Sequence, residues 1–184
     1  MILTDAERRF LANQPRGHLA TIGPDGTPQV KPLGFTWNAA LGTVDIAGFN
    51  MAGSAKYRNI KANPLVALVA DEMTEQSMEG AHFLEIRGVA EAVTGATPAD
   101  GHLAAEIIRI HPRRVIAYNV DPEQPGLQTR DAEAVTGSPS ADGHLAAEII
   151  RIRPQRVIAY NVDPERPGLQ TRDVEAGDFQ PNVA

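Results

Sequence analysis

The chain has 184 residues, enough for one domain with a real core, and a composition 42% hydrophobic and 22% charged excludes a disordered tail. With 17 Lys and Arg against 23 Asp and Glu the net charge is −6, which argues against general nucleic-acid binding and makes any anion site local. Cysteine is absent, so disulfides, thiolate metal ligands and a cysteine nucleophile are excluded.

The opening stretch, MILTDAERRF, carries acids and arginines where a signal peptide needs an apolar core, and no run approaches the roughly 20 apolar residues of a membrane span. A cytoplasmic chain is expected, with neither membrane nor nucleic acid as a partner. Thr4 to Glu7 has the form of a capping box, and Ala6, Phe10 and Leu11 give a short amphipathic helix that stops before Pro15. Strands follow. His18 to Ile22 reads as one, Gly23 to Gly26 as a tight turn, and Gln29 to Trp37 as the returning strand, with Pro32 signalling an edge or a bulge. Asn38 to Gly42 is a second turn, and Thr43 to Phe49 a third strand. Leu65 to Asp71 is a fourth, apolar enough to be buried on both faces, and Glu72 to Gly80 a polar loop. Phe83 to Thr94 alternates over a long strand, with Leu84, Ile86 and Val89 expected toward the core. Five or more antiparallel strands and a single short crossover helix predict a mainly β fold, a small barrel with few exposed edges.

That crossover helix carries the candidate site. In GFNMAGSAKYRNIKANP, from Gly48 to Pro64, the glycines and Asn50 allow tight turns, Ser54 is a good N-cap, and Asn63-Pro64 ends the helix. Tyr57 and Ile60, three apart, are expected to pack inward. The free N–H groups of the first turn, the Ser54 hydroxyl, Lys56 and Arg58 can converge on a phosphate, which the helix dipole favours. A solvated basic helix is the plainer alternative.

From Ala90 the sequence doubles. Ala90 to Asp131 recurs as residues 132–173 at a constant offset, and only six pairs differ. Two copies are too few for a solenoid, which leaves a barrel domain over 1–131, a second copy of its closing segment over 132–173, and a tail over 174–184. Each copy reads as two consecutive strands kinked at a proline, followed by a turn-rich DPE-x-PGLQTRD. Residues 101–110 read as strand in their second half, with a helix as the alternative. The copies compete for one slot in the barrel. The first is expected to fill it, because it follows Phe83 to Thr94 directly.

In this order, GHLATIGPDGTPQVKPLGF, TVDIAGF, SAKYRNIKANPLVALVAD, FLEIRGVAEAV and IIRIHPRRVIAYNVDP resemble the pyridoxamine 5'-phosphate oxidase-like split β-barrel superfamily. Within it the chain is most similar to the actinobacterial flavin/deazaflavin oxidoreductases that use coenzyme F420. The resemblance covers Thr4 to Pro122. It implies a homodimer holding a flavin or deazaflavin between subunits, with the phosphate on Lys31, Ser54, Lys56 and Arg58. It also implies backbone contacts to the ring along Pro32, Leu33, Gly34 and Phe35, and a further polar contact from Asn59. Ala55 departs from the pattern, since relatives often carry Arg before the helical Lys. Tyr118, or Tyr160 in the second copy, stands where relatives often have Trp.

The chemistry agrees with this sparse site, because a hydride-carrying cofactor leaves the protein only binding, orientation and exclusion of water. No triad accompanies Thr21, Ser54 or Tyr57, and no catalytic residue is assigned. His102 with Glu106, and His144 with Glu148, have a spacing that suits metal on a helix, but no third ligand is apparent and no metal is expected. His18 and His82 read as surface residues, and Trp37 as packing. The expected activity is F420-dependent reduction of a small organic substrate. Its alternatives are an FMN-dependent oxidase or reductase and a non-catalytic flavin- or tetrapyrrole-binding module.

Overall fold

The structure is a computed structural model that describes residues 2–95, 103–131, 156–160, 162, 164–166 and 169–173. They fall into two compact units, divided between Ala141 and Asp142.

The first unit opens with α1 (Asp5–Asn13), and the capping box is formed as expected: Thr4 N–H donates to Glu7, and Glu7 N–H to the Thr4 hydroxyl. Strands β1 (Gly17–Ile22), β2 (Pro28–Leu33), β3 (Thr36–Asn38) and β4 (Thr43–Ile46) precede α2 (Ala55–Ala62). After it come β5 (Leu65–Met73), β6 (Ala81–Val93), β7 (Ile107–Tyr118) and β8 (Leu127–Asp131). All eight strands form one antiparallel sheet in the order β2-β1-β5-β6-β7-β4-β3, with β8 also on β7. Its end strands, β2 and β3, are separated in the chain by Gly34 and Phe35 alone. A sheet whose two edges are joined by two residues has to curl until those edges meet, which makes it a barrel split at that seam. The core lies inside, with Leu19, Leu68, Leu84, Ile86, Ile108, Ile110 and Val115 almost wholly buried.

Three expectations change. The returning strand expected from Gln29 to Trp37 is broken into β2 and β3, because it serves both edges of the sheet and bends at Gly34. Pro32 lies on an edge strand, where its missing N–H is tolerated. Val89 does not point inward. Gly88 and Ala90 continue the buried alternation of Leu84 and Ile86, and the register irregularity falls on the partner strand, where Arg87 pairs with Arg114 but Gly88 with Pro112. The proline kink is thus absorbed as a bulge inside one continuous strand.

Two ion pairs fasten the closing strand. Arg109 of β7 donates two bonds of 2.8 Å to Asp45 of β4, which also accepts from Asn38 and Thr43. Arg130 of β8 pairs with buried Glu7, joining α1 to the sheet. The second unit contains β9 (Arg156–Tyr160) and β10 (Leu169–Asp173), an antiparallel pair.

Gly88 lies where a Cβ would come within 2.4 Å of the His111 carbonyl oxygen. Gly88→Ala should lower stability by about 1–3 kcal/mol, read from the urea midpoint, because two backbones would have to separate. At Asp45, burial raises the carboxyl pKa, but hydrogen bonds from Arg109, Asn38 and Thr43 outweigh it and hold it below the usual range. A lowered acid pKa adds stability that is complete above about pH 4 and lost as pH falls through the folded value. Asp45→Asn should flatten the acid limb of a stability–pH profile below pH 4.

Candidate functional site

The helix α2 is built largely as its sequence reads. Ser54 caps it, Tyr57, Asn59 and Ile60 are buried, and Asn63 closes it through an N–H donated to the Asn59 carbonyl. It packs against β1 and β6, and no acid stands in its first turn. The positive end of its dipole is therefore uncompensated, and the N–H groups of Ala55 and Lys56 precede any intrahelical partner.

Beside that end stand two lysines. Lys31 is exposed on edge strand β2, and Lys56 is half-buried on α2. The Lys56 ammonium is pushed below the ordinary lysine range, first by burial and then by the charge of Lys31, so the two cations share one region of the surface. Among the described residues, neither has a carboxylate within salt-bridge distance. Two adjacent cations and a helix N-terminus, without an acid among them, give this part of the surface a positive potential.

The other expected residues divide by what they already hold. The Ser54 hydroxyl accepts from Tyr57 N–H at 3.3 Å and donates to the Met51 carbonyl at 2.7 Å, so its proton is engaged in the cap. Arg58 donates to the Gly53 carbonyl at 2.7 Å and ties down the turn before the helix. Asn59 is 5% exposed, and its amide nitrogen donates to Thr21 and Gln29, each at 3.0 Å. It binds α2 to β1 and β2, a role the sequence reading did not foresee. Pro32, Leu33 and Gly34 run along the seam. A Cβ at Gly34 would meet nothing within 4 Å, so open space lies beside this backbone. Leu33, Phe35 and Trp37 pack partly onto the core, and Trp37 Nε1 is buried without a hydrogen-bond partner.

Phe49, in the loop from β4 to α2, is 80% exposed, which sequence reading passed over as the end of a strand. Its position between Gly48 and Asn50, both turn formers, was the available signal. One face of the Tyr118 ring stacks on Phe83, with the ring centroids 5.6 Å apart. The Tyr160 side chain lies outside the described residues. Glu106 is in an irregular stretch instead of a helix, and its proposed partner His102, like the pair His144 and Glu148, lies outside the described residues. His18 and His82 are partly or largely exposed, with His82 Nδ1 2.7 Å from the Asn119 carbonyl oxygen.

An antiparallel barrel split at one seam, with a basic helix beside the seam strand, defines a split β-barrel. The chain belongs to the pyridoxamine 5'-phosphate oxidase family, whose model matches residues 3–159. It is similar to the 5a,11a-dehydrotetracycline/5a,11a-dehydrooxytetracycline reductase of Streptomyces rimosus subsp. rimosus, 36% identical over 133 residues, covering 71% of this chain and 94% of that one. A Mycobacterium tuberculosis protein of solved structure superposes with a TM-score of 0.52 at 21% identity, over 75% of this chain and 95% of its own. A heme-binding protein from Mycobacterium smegmatis has a TM-score of 0.51 at 15% identity, over 71% of this chain and 59% of its own.

Asn59 gives the site a stability test. Asn59→Leu leaves the Thr21 hydroxyl and Gln29 amide without their shared donor and should cost about 1–3 kcal/mol in thermal or urea unfolding. A role confined to ligand contact would leave the ligand-free protein's stability unchanged.

Proposed function

We propose that this chain is a coenzyme F420-dependent reductase acting on a small unsaturated or conjugated organic substrate. The observation that carries the reading is the Lys31–Lys56 pair at the positive end of α2, whose first turn carries no acid, which suits a phosphate-bearing cofactor. A bound deazaflavin supplies the hydride. Lys31, Lys56 and the first-turn N–H groups hold its phosphate, while the seam backbone from Pro32 to Phe35 lies along the ring. Phe49 offers apolar area to a ring beside the loop. The similarity to a 5a,11a-dehydrotetracycline/5a,11a-dehydrooxytetracycline reductase supports reduction as the direction of the chemistry.

The cofactor lies between two copies of the chain. The outer face of β2, β1 and β5 presents Val30, 56% exposed, in register with Ala20 and Ala67, with Leu65, 60% exposed, further along β5. Such an apolar strip on a water-facing sheet suits a second copy. A cytoplasmic location goes with this cofactor. Among the described residues, no helix is long and apolar enough to cross a membrane.

Fluorescence titration of the purified protein with coenzyme F420 and with FMN should show F420 preferred, and Lys56→Ala should weaken it by about tenfold or more. The same substitution should not destabilise the ligand-free protein, because it removes a repulsion with Lys31. Preference for FMN with matching loss in Lys56→Ala would instead assign the FMN-dependent reading. Binding of either cofactor with no reductase activity toward conjugated substrates would assign a binding module. By sedimentation, the wild type should be a dimer, and Val30→Asp should shift it toward monomer.

A further inference from the structure

The second unit repeats more than sequence. In β9–β10, Tyr160 pairs with Leu169 and Arg156 with Asp173, and in β7–β8 Tyr118 pairs with Leu127 and Arg114 with Asp131. Both hairpins therefore have the same strands in the same register, 42 residues apart. From Arg114 to Asp131 the copies differ at one position, Gln124 against Arg166, in the turn, and over the earlier part of β7 at two more, His111 against Arg153 and Arg113 against Gln155.

Among the described residues, the first strands differ in what lies on their far edge. In β7, Arg114–Tyr118 pairs on that edge with Phe83–Arg87 of β6, whereas in the described residues β9 pairs with β10 alone. Every residue that β7 buries in the barrel, namely Ile107, Ile108, Ile110, Val115 and Ala117, recurs unchanged in the second copy. So do the cations of both fastening ion pairs, Arg109 and Arg130. The second copy departs from β7 at two positions, His111 (Arg153) and Arg113 (Gln155), both exposed in β7, so the buried side chains and the backbone it offers to β6 are the same.

We propose that β9–β10 is an interchangeable closing hairpin, which displaces β7–β8 from Phe83–Arg87 of its own chain, so that the barrel has two closures. The balance between them is set by connection length. Closing with the second copy lengthens the link after β6 by one repeat, about two doublings, which disfavours that closure by roughly tenfold. The occupant is the chain's own β6, because the tether keeps β9 at a high effective concentration that a second molecule has to match. The family match itself runs to residue 159, inside β9. This inference is independent of the cofactor reading.

The absence of cysteine allows a direct test in the full chain. Glu85 pairs with Ile116 on the outer face, and Ile158 is the equivalent of Ile116. Under mild oxidation, Glu85→Cys/Ile116→Cys should close an intramolecular disulfide. Glu85→Cys/Ile158→Cys should do so at about a tenth of that rate. Adding Val115→Asp, which places a carboxylate at a buried β7 position, should make the 85–158 bond form at the faster rate. A chain in which 85 and 116 link but 85 and 158 never link within one molecule, with or without Val115→Asp, overturns the exchange. Disulfide-linked dimers as the sole product of the 85–158 pair also overturn it, and assign β9 to a second copy.

Discussion

Two residues, Gly34 and Phe35, join the edge strands of the sheet, and the rest of the architecture follows from that short connection. With β2 at one end of the strand order and β3 at the other, the sheet has no flat solution. Its interior must be filled from one continuous face, and Leu19, Leu68, Leu84, Ile110 and Val44 do so from five strands. At the seam itself no ladder forms between β2 and β3. Gly34 leaves open space beside that backbone.

The same seam explains the electrostatics. Lys31 has a place on β2 because that strand is an edge, where a charged side chain also discourages pairing with a foreign strand. Asn59 then draws α2 onto β1 and β2 through Thr21 and Gln29, and this brings Lys56 toward Lys31. Burial and like charge both weigh against a protonated Lys56 in the folded protein. Arg58 and Ser54 contribute differently, by holding the turn and the cap that aim the first-turn N–H groups.

Much of this was legible in the sequence, where the evidence was local. The capping box at Thr4 to Glu7, the N-cap at Ser54, the inward Tyr57 and Ile60 and the edge at Pro32 each depend on neighbours a few residues away. Resemblance supplied the split barrel and its family. Val89 was misread because its apolar side chain was set toward the core against the strict alternation that Gly88 and Ala90 continue, small residues whose inward position the hydrophobic pattern alone does not mark. The break at Gly34 was missed because GF reads as a continuing strand until the positions of β2 and β3 at opposite edges are known. Asn59 looked like a polar group facing a ligand, and only the pairing of β1 with β2 places Thr21 and Gln29 beneath it.

Where the repeat falls in the chain decides what it can disturb. Each strand of the barrel is complete by Asp131, and its long-range pairings all lie upstream of the second copy. A copy inserted before β6 would separate β5 from β6, whose nine paired positions begin a strand-to-strand walk around the sheet. Placed after β8, it lengthens no connection that the barrel needs. Yet it brings a second RVIAY and a second LQTRD, with the same hydrophobic and charged partners waiting on β6, β4 and α1. The buried side chains of the two closures are the same and the copies differ along this strand only at two exposed positions, so chain connectivity is the main term that ranks the proposed closures. A fold usually excludes its alternatives through packing, but here the alternative has the same packing, and the discrimination falls to loop entropy, which grows only slowly with length.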